Sequence, residues 1–542
     1  MKIKFYFFKN NWLPSIFLLT LTACSMNIKP IDNFTLFKES KEAIRANQEK
    51  TEPINSTIDI NEAIARGLKY NLEFKVKQYE EALSINQSDL SAFDMLPKIV
   101  GSTGYYKRNN DAINTSVNAQ TGQASTSTFI STDRQIDTVD LGLSWNILDF
   151  GASYFNARQQ GDRALIALEH RRKAMHNLVQ DIRTAYLRAY AAQTLEDEVA
   201  STIEVSEIAL KKAKQADEEK FRNPTDILKI QKTILDNLRV LEAIRQELST
   251  ARYELASYMN ITPGTKYKLA EPSSEILAPK QINLSIELME DLAITNNADF
   301  KEQIYTARIA KDEIKKNMLK MFPNISLNAG PHYSSNSFLV NKHWNDAAIQ
   351  ASWNIVNVLT IPSQISAGKN ADKLFDEKKS SVLMGLITQV HISRLIYDNA
   401  YQSLERNESV FEVDKRLNDI SQLKVNAALE SKLDNVTYRT AYILSLLRKY
   451  QALSQLYAAE GKLRSTLGQE VIAGDISKIP LNDLKGQVNT ALKDWLPSED
   501  AIIIPKEPAS NTEIKVDGVS KEDESKKINF VEKLKNFFKR KE

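Results

Sequence analysis

The 542-residue chain predicts an α+β fold in which one helix-strand-strand-helix-helix unit occurs twice. Three observations predict it. Ser144-Trp145-Asn146-Ile147 is nearly repeated by Ser352-Trp353-Asn354-Ile355, each at the end of an alternating polar and apolar run. Met95-Leu96-Pro97-Lys98-Ile99 is echoed by Met321-Phe322-Pro323-Asn324-Ile325. Runs without glycine or proline, far longer than ordinary globular helices, follow each Trp stretch.

The alternation around Trp145 is strict: Val139, Leu141, Leu143, Trp145 and Ile147 fall on one side and Thr138, Asp140, Gly142, Ser144 and Asn146 on the other. Ile349, Ala351, Trp353 and Ile355 repeat the pattern. Period two means one oily and one polar strand face, which fits either a soluble core or lipid.

Composition narrows the classes. Lys and Arg (71) nearly balance Asp and Glu (69), so no whole-molecule field favours nucleic acid. Glycine and proline are scarce, which suits long helices. Lys2, Lys4 and Lys9 precede an apolar run from Trp12 to Leu21, which is too short for a stable span and reads as an export signal over residues 1–23. Cys24 is the only cysteine, and Leu21-Thr22-Ala23-Cys24 resembles a bacterial lipobox. That resemblance implies cleavage before Cys24, acylation of the cysteine and, with Ser25 rather than Asp next, placement in the outer membrane. The alternative is an ordinary signal peptide.

Residues 24–56 are polar and aperiodic and read as an extended, lipid-anchored strap. Residues 57–264 form the first repeat. Ile60, Ile64, Leu68, Leu72, Val76, Tyr79 and Leu83 mark one helix of about 37 residues ending at Pro97. Strands follow at about 98–108 and 137–147, with Tyr105 and Tyr106 at the far end of the first, and a solvated loop over 109–135 between them. A helix of about 60 to 70 residues, about 100 Å long, leads to a tight turn at Phe221 to Pro224, where Asn223 caps and Pro224 opens a shorter helix. Residues 265–284 are a linker. The second repeat, 285–470, brings a helix over about 288–321, strands at about 324–332 and 347–355, and a long helix starting after Pro362. No breaker occurs from Leu386 to Glu460; only the duplication, with Trp145 to Asp226 spaced as Trp353 to Asp434, places a bend near Ala428 to Glu430.

Two short helices stacked end to end match one long one, so the duplicated unit makes four rods with all four strands at one end. Four strands cannot close a barrel, and open edges are forbidden in lipid. If the strands enter a membrane, several chains must pool them; three chains give twelve strands and twelve rods.

Over residues 57–470 the chain resembles the TolC-like outer-membrane efflux protein family, in its lipoprotein branch. The likeness lies in the order of elements, Pro97 and Pro323 opening the hairpins, and Trp145 and Trp353 closing them. It implies a homotrimeric, twelve-stranded outer-membrane β-barrel continued by a long periplasmic α-helical barrel. It also implies a periplasmic adaptor protein and an inner-membrane pump as partners, and no cofactor. Family members often carry a glycine at each hairpin tip, six residues before an acidic gate residue. The acidic positions here are Asp226 and Asp434; the glycine positions hold Lys220 and Ala428, a departure from the family. The resemblance makes Asp434, with Glu430 and Thr437 beside it, the candidate periplasmic gate, where three copies would repel anions. The plain alternative is a helix-terminal Asp favoured by the helix dipole.

Trp145, Trp353, Tyr105 and Tyr106 read as interfacial or packing aromatics. The five histidines are scattered without metal-site spacing, and no nucleophile elbow or phosphate loop occurs, so the chain does not read as an enzyme. In the 471–542 tail, Ile528, Phe530, Val531, Leu534, Phe537 and Phe538 lie among lysines, as either a surface-binding amphipathic helix or a solvated tail. The functions that stand are an efflux exit duct, the outer-membrane channel of a type I protein secretion system, and a lipid-anchored periplasmic coiled-coil scaffold without a pore.

Overall fold

The computed structural model describes residues 30–493 except 55–56, 219–223, 280, 428–431, 473 and 475. The expected signal peptide, Cys24 and the lysine-rich end of the tail lie outside the described residues.

Helix α1 (Asn33–Glu49) replaces the expected extended strap. The Asp32 carboxylate accepts from Phe34 N and Thr35 N, which caps its first turn. At the other end the Asn47 and Asn260 side-chain amides pair reciprocally at 2.9 and 3.1 Å, which ties the helix to the end of the first repeat.

The single helix expected before Pro97 is two: α2 (Ile60–Tyr70) and α3 (Leu72–Phe93). Asn71 separates them. Ile60, Ile64 and Leu68 are buried as the periodicity predicts, but Leu72, Val76, Tyr79 and Leu83 face outward. Strand β1 (Lys98–Lys107) leads to a two-stranded hairpin, β2 (Ile113–Val117) with β3 (Ala124–Ile130), where the sequence suggested a loop. Strand β4 (Gln135–Asn146) passes directly into α4 (Ile147–Glu218), 72 residues and about 100 Å long. Helix α5 (Pro224–Tyr258) returns, and the linker contains only the short α6 (Ser274–Leu277) and a parallel bridge between Ile58 and Leu269.

The second repeat has the same parts. Helix α7 (Ile286–Asn296) and α8 (Ala298–Leu319) are separated by Asn297, and strands β5 (Asn324–Ser334) and β6 (His343–Ser352) form the hairpin. Helix α9 (Val356–Asn426) begins before Pro362, not after it, because the Asn354 side chain accepts from Val356 N and starts the helix there. Pro362 then removes one bond near the N-terminal end of the ladder. Helix α10 (Lys432–Thr466) has the same 35 residues as α5. Helix α9 thus ends before, and α10 begins after, the bend expected near Ala428 to Glu430, which itself lies outside the described residues.

Asn71 and Asn297 hold corresponding junctions together. Asn71 Oδ1 accepts from Phe74 N at 2.9 Å while its Nδ2 donates to Tyr258 O, the end of α5, at 3.2 Å. Asn297 Oδ1 accepts from Phe300 N at 2.8 Å and its Nδ2 donates to Thr466 O, the end of α10, at 2.9 Å. Each caps one short helix and ties it to the end of the other, beside the long helix. The two C-termini close alike, with Asn260 and Gly468 at φ 56° and 67°, and Ile261 N and Gln469 N donating five residues back to Ala256 O and Arg464 O. Glycine is required at 468, where a Cβ would meet Asn296 O.

The described part of the expected tail is not loose. Helix α11 (Leu481–Lys493) buries Leu481, Leu484 and Val488 against α2, worth about 1.5–3 kcal/mol for each side chain. Lys485 pairs with Asp59 and Glu62, and Arg464 Nη2 donates to Ala491 O at 2.7 Å.

The interior beside these junctions is ionic. Arg172 meets Glu169 at 2.5 Å, Glu470 at 2.8 Å and Gly468 O at 3.0 Å. Arg183 meets Glu460 at 3.1 Å and lies over the Tyr457 ring. His176 is buried among them; burial, then the Arg464 and Arg172 charges, pushes its imidazole down to about 3.

Asn71→Ala and Asn297→Ala each remove a cap and a cross-link, so each should cost about 1–2 kcal/mol and lower the thermal midpoint of the detergent-solubilised protein; an unchanged midpoint would deny the junction its role. His176 stays neutral when folded and takes a proton when unfolded below about 6.5. Its contribution is present above that value and is lost as pH falls towards about 3. His176→Gln should therefore flatten the fall of the midpoint between pH 6.5 and 4.5, and an unaltered slope would contradict this.

Candidate functional site

The sheet is the first place where the fold concentrates function. Its order is β1-β4-β5-β6, all antiparallel, so the hairpins of the two repeats join through β4 and β5. Among the described residues, β1 and β6 are free edges. The register puts Ile99, Leu143, Ala329 and Ala347 on one face, with Leu327 and Ile349 beside them, and Lys98, Ser144, Asn328 and Ala348 on the other.

On β4, exposure is inverted relative to a strand of a soluble sheet. Val139, Leu141 and Leu143 are 52, 50 and 42% exposed, whereas Thr138, Asp140, Gly142 and Ser144 between them are half-buried. On this strand the oily face is the open one and the polar face the covered one. A soluble half-buried strand does the reverse. The edge strands β1 and β6 are exposed on both faces.

The Ser-Trp-Asn-Ile stretches mark the change from strand to helix. Asn146 Oδ1 accepts from Leu148 N at 2.9 Å and Asp149 N at 3.0 Å, which satisfies donors at the start of α4. At the start of α9, Asn354 Oδ1 accepts from Val356 N alone, at 3.2 Å. Trp145 is half-buried, edge-on to Phe150 at 5.8 Å. Trp353 lies one residue beyond β6, 52% exposed, with its Nε1 donating to Met321 O at 3.0 Å. Both tryptophans therefore sit at the base of the sheet. Tyr105 and Tyr106 are exposed near the other end of β1, on opposite faces; Tyr105 shares the apolar one. The capping role of the two asparagines was readable in principle, since Asn before a long helical run is a cap signal.

At the far end of the long helices, Pro224 opens α5, and Asp226 stands exposed in its first turn, 3.9 Å from Lys229. Asp434 occupies the first turn of α10, with its side chain outside the described residues. Thr437 is exposed and accepts from Asn237 Nδ2 at 3.4 Å, which links α10 to α5. Lys220, Asn223, Ala428 and Glu430 lie outside the described residues. Nothing here brings Asp226 and Asp434 into one site within a chain. They occupy corresponding positions of the two repeats.

The helices are unevenly partnered. Helix α4 packs along α2, α3 and α5 of its own repeat and along α8 and α10 of the other. Helix α9 has the corresponding partners α7, α8 and α10 of its own repeat only. Among the described residues, its outer side leaves Leu374, Met384, Leu395, Val413 and Leu423 exposed, and α3 leaves Val76, Tyr79, Leu83 and Phe93 exposed. No described helix is long and apolar enough to cross a membrane, and no described cluster of His, Cys, Asp or Glu could hold a metal ion.

No protein-family model matches the chain, and no curated protein matches it in sequence. Solved structures do match in fold. The Campylobacter jejuni CmeC outer membrane channel is 12% identical over 80% of this chain and 90% of its own, with TM-score 0.58. The outer-membrane channel OprN is 13% identical over 76% and 89%, with TM-score 0.56. The Neisseria gonorrhoeae MtrE outer membrane channel, solved in an open state, is 14% identical over 74% and 88%, with TM-score 0.53. With its duplicated helices and its four-stranded sheet, the chain has the fold of the TolC-like outer-membrane channels.

Proposed function

We propose that the chain is the exit duct of a tripartite efflux system: an outer-membrane channel that passively conducts substrates from a periplasmic adaptor and an inner-membrane pump. The inverted exposure of β4 carries this reading. Its open oily face and covered polar face suit lipid outside and water inside, and the free edges of β1 and β6 call for further strands. Solved structures of the same fold are outer-membrane channels by name, which supports the channel part of this reading.

The partner of those edges is another copy. The duplication supplies the operator: α9 lacks the contacts that α4 makes with the next repeat, and α3 and α5 of a neighbouring chain would provide them. Such a head-to-tail contact closes a ring. Two chains would give eight strands, whose interior side chains fill; three give twelve and leave a water-filled lumen. The homotrimer, the barrel and the helical tube below it therefore belong to one proposal, together with outer-membrane placement and acylation at Cys24.

At the tube's far end, three copies of Asp434, joined by Glu430, Thr437 and Asp226 near the tips, form the gate. Their carboxylates would hold cations and repel anions at a narrow point. The absence of glycine at Lys220 and Ala428 gives these tips their own adaptor contact, with Asn223-Pro224 making the first turn.

Full-length protein in planar bilayers should show steady conductance and should run on electrophoresis as a trimer that heating dissociates. A non-conducting monomer would overturn the duct. Asp434→Ala should raise single-channel conductance and reduce cation preference; no change in either would remove Asp434 from the gate.

A further inference from the structure

A charge cluster on the polar face of the sheet has no part in the duct as described so far. In the strand register, His332 on β5 stands opposite Asp140 on β4 and opposite Trp344 on β6. Its Nδ1 lies 2.7 Å from Asp140 Oδ1 and its Nε2 lies 3.1 Å from Asp346 Oδ1. The ring stacks on Trp344 with centroids 5.4 Å apart and planes 16° apart. One imidazole therefore bridges three strands and both repeats.

The chemistry of the two contacts decides the state of the ring. An ionised carboxylate only accepts hydrogen bonds, so a ring held by carboxylates at both nitrogens donates from both and is an imidazolium. The indole face favours the same charge. The carboxylates approach opposite nitrogens and do not converge on a common point, so the arrangement is not that of a metal site. Among the described residues, the charged groups facing the ring are Asp140 from β4 and Asp346 from β6. Strand β1 brings the uncharged Ser102 opposite Asp140, and β5 itself carries Gly330 and Ser334 at the neighbouring positions on this face.

We propose that His332, Asp140 and Asp346 form a proton-operated charge site on the channel wall that sets its ion preference. The inference rests on the duct reading above. With the imidazolium in place each chain presents one net negative charge at this level; when the proton leaves, it presents two. A ring of three chains would double its wall charge in one titration, through residues far from the tips and on no shared sequence motif. The site thus makes cation preference rise with pH.

The test uses full-length wild-type protein in planar bilayers under a KCl gradient, with the potassium-to-chloride permeability ratio read from pH 5 to 9. The ratio should rise roughly two- to threefold, on the order of the change in wall charge. His332→Gln should hold the high value at every pH, and Asp140→Asn with Asp346→Asn should lower the ratio at every pH and move its rise to lower pH, because the imidazole then loses its proton without carboxylate partners. A flat wild-type profile, or a His332→Gln profile that still follows pH, overturns the proposal while leaving a conducting duct intact. Nitrogen-15 labelling of the five histidines in the lipid-embedded protein, with the His332 signal assigned by its loss in His332→Gln, provides a readout independent of conduction. An imidazolium at pH 6 is expected, and a neutral ring at pH 6 overturns the bridge. An imidazolium in a protein that conducts nothing would overturn the duct reading, and the selectivity role with it.

Discussion

Two asparagines make the rods continuous. Each long helix is about twice the length of any other, so it can be matched only by two shorter helices stacked end to end, and their meeting point exposes the free carbonyls of one terminus and the free amides of the next. Asn71 and Asn297 satisfy both at once, with the side-chain oxygen accepting from the start of one helix and the amide donating to the end of the other. The rest depends on that junction. It keeps α3 and α8 in line with the long helices, so that β1 and β5 leave at the same end as β4 and β6. It also lies beside the buried ionic layer of Arg172, Arg183 and Glu460, where α11 and the linker pack.

Four strands at one end, joined through β4 and β5, form a surface with free edges and an exposed oily face. Such a surface is costly in water and forbidden as an open edge in lipid. The unpartnered side of α9 and the exposed stripe of α3 present the same incompleteness lower down. Both defects would be removed by one operation, the addition of copies around an axis proposed above. That economy is why pooling of strands and closure of the helical tube stand or fall together.

Much of the architecture was legible because its signals are strong and local. Pro97, Pro323 and the two Ser-Trp-Asn-Ile stretches punctuate the chain where helix and strand exchange, and Asn146 and Asn354 prove to cap the long helices there. What escaped was tertiary in origin. Asn71 sits in an unbroken helical pattern, and only its bond to Tyr258 O, distant in sequence, reveals the break. Helix α1 buries none of its apolar residues, with Phe34, Leu36, Phe37 and Ile44 all exposed; its cap at Asp32 and its docking through Asn47 hold it. The β2–β3 hairpin is mostly exposed and polar, so no periodicity announces it. Helix α11 is short, and its place is set by Lys485 and by three buried side chains against α2. At the sites the pattern is the same: the Trp and tip positions followed from the duplication, whereas His332 and its carboxylates meet only through strand register.

The central claim is that strands of separate chains pair edge to edge. Paired strands bring Cα atoms within about 5.5 Å, a distance a disulfide spans. A scan of cysteine pairs, one on β1 (98–107) and one on β6 (343–352), in a chain with a single native cysteine, tests it directly. The account predicts that pairs at one register oxidise in the membrane to a covalently closed trimer that survives heating in denaturing electrophoresis. Monomeric protein at every register would contradict it.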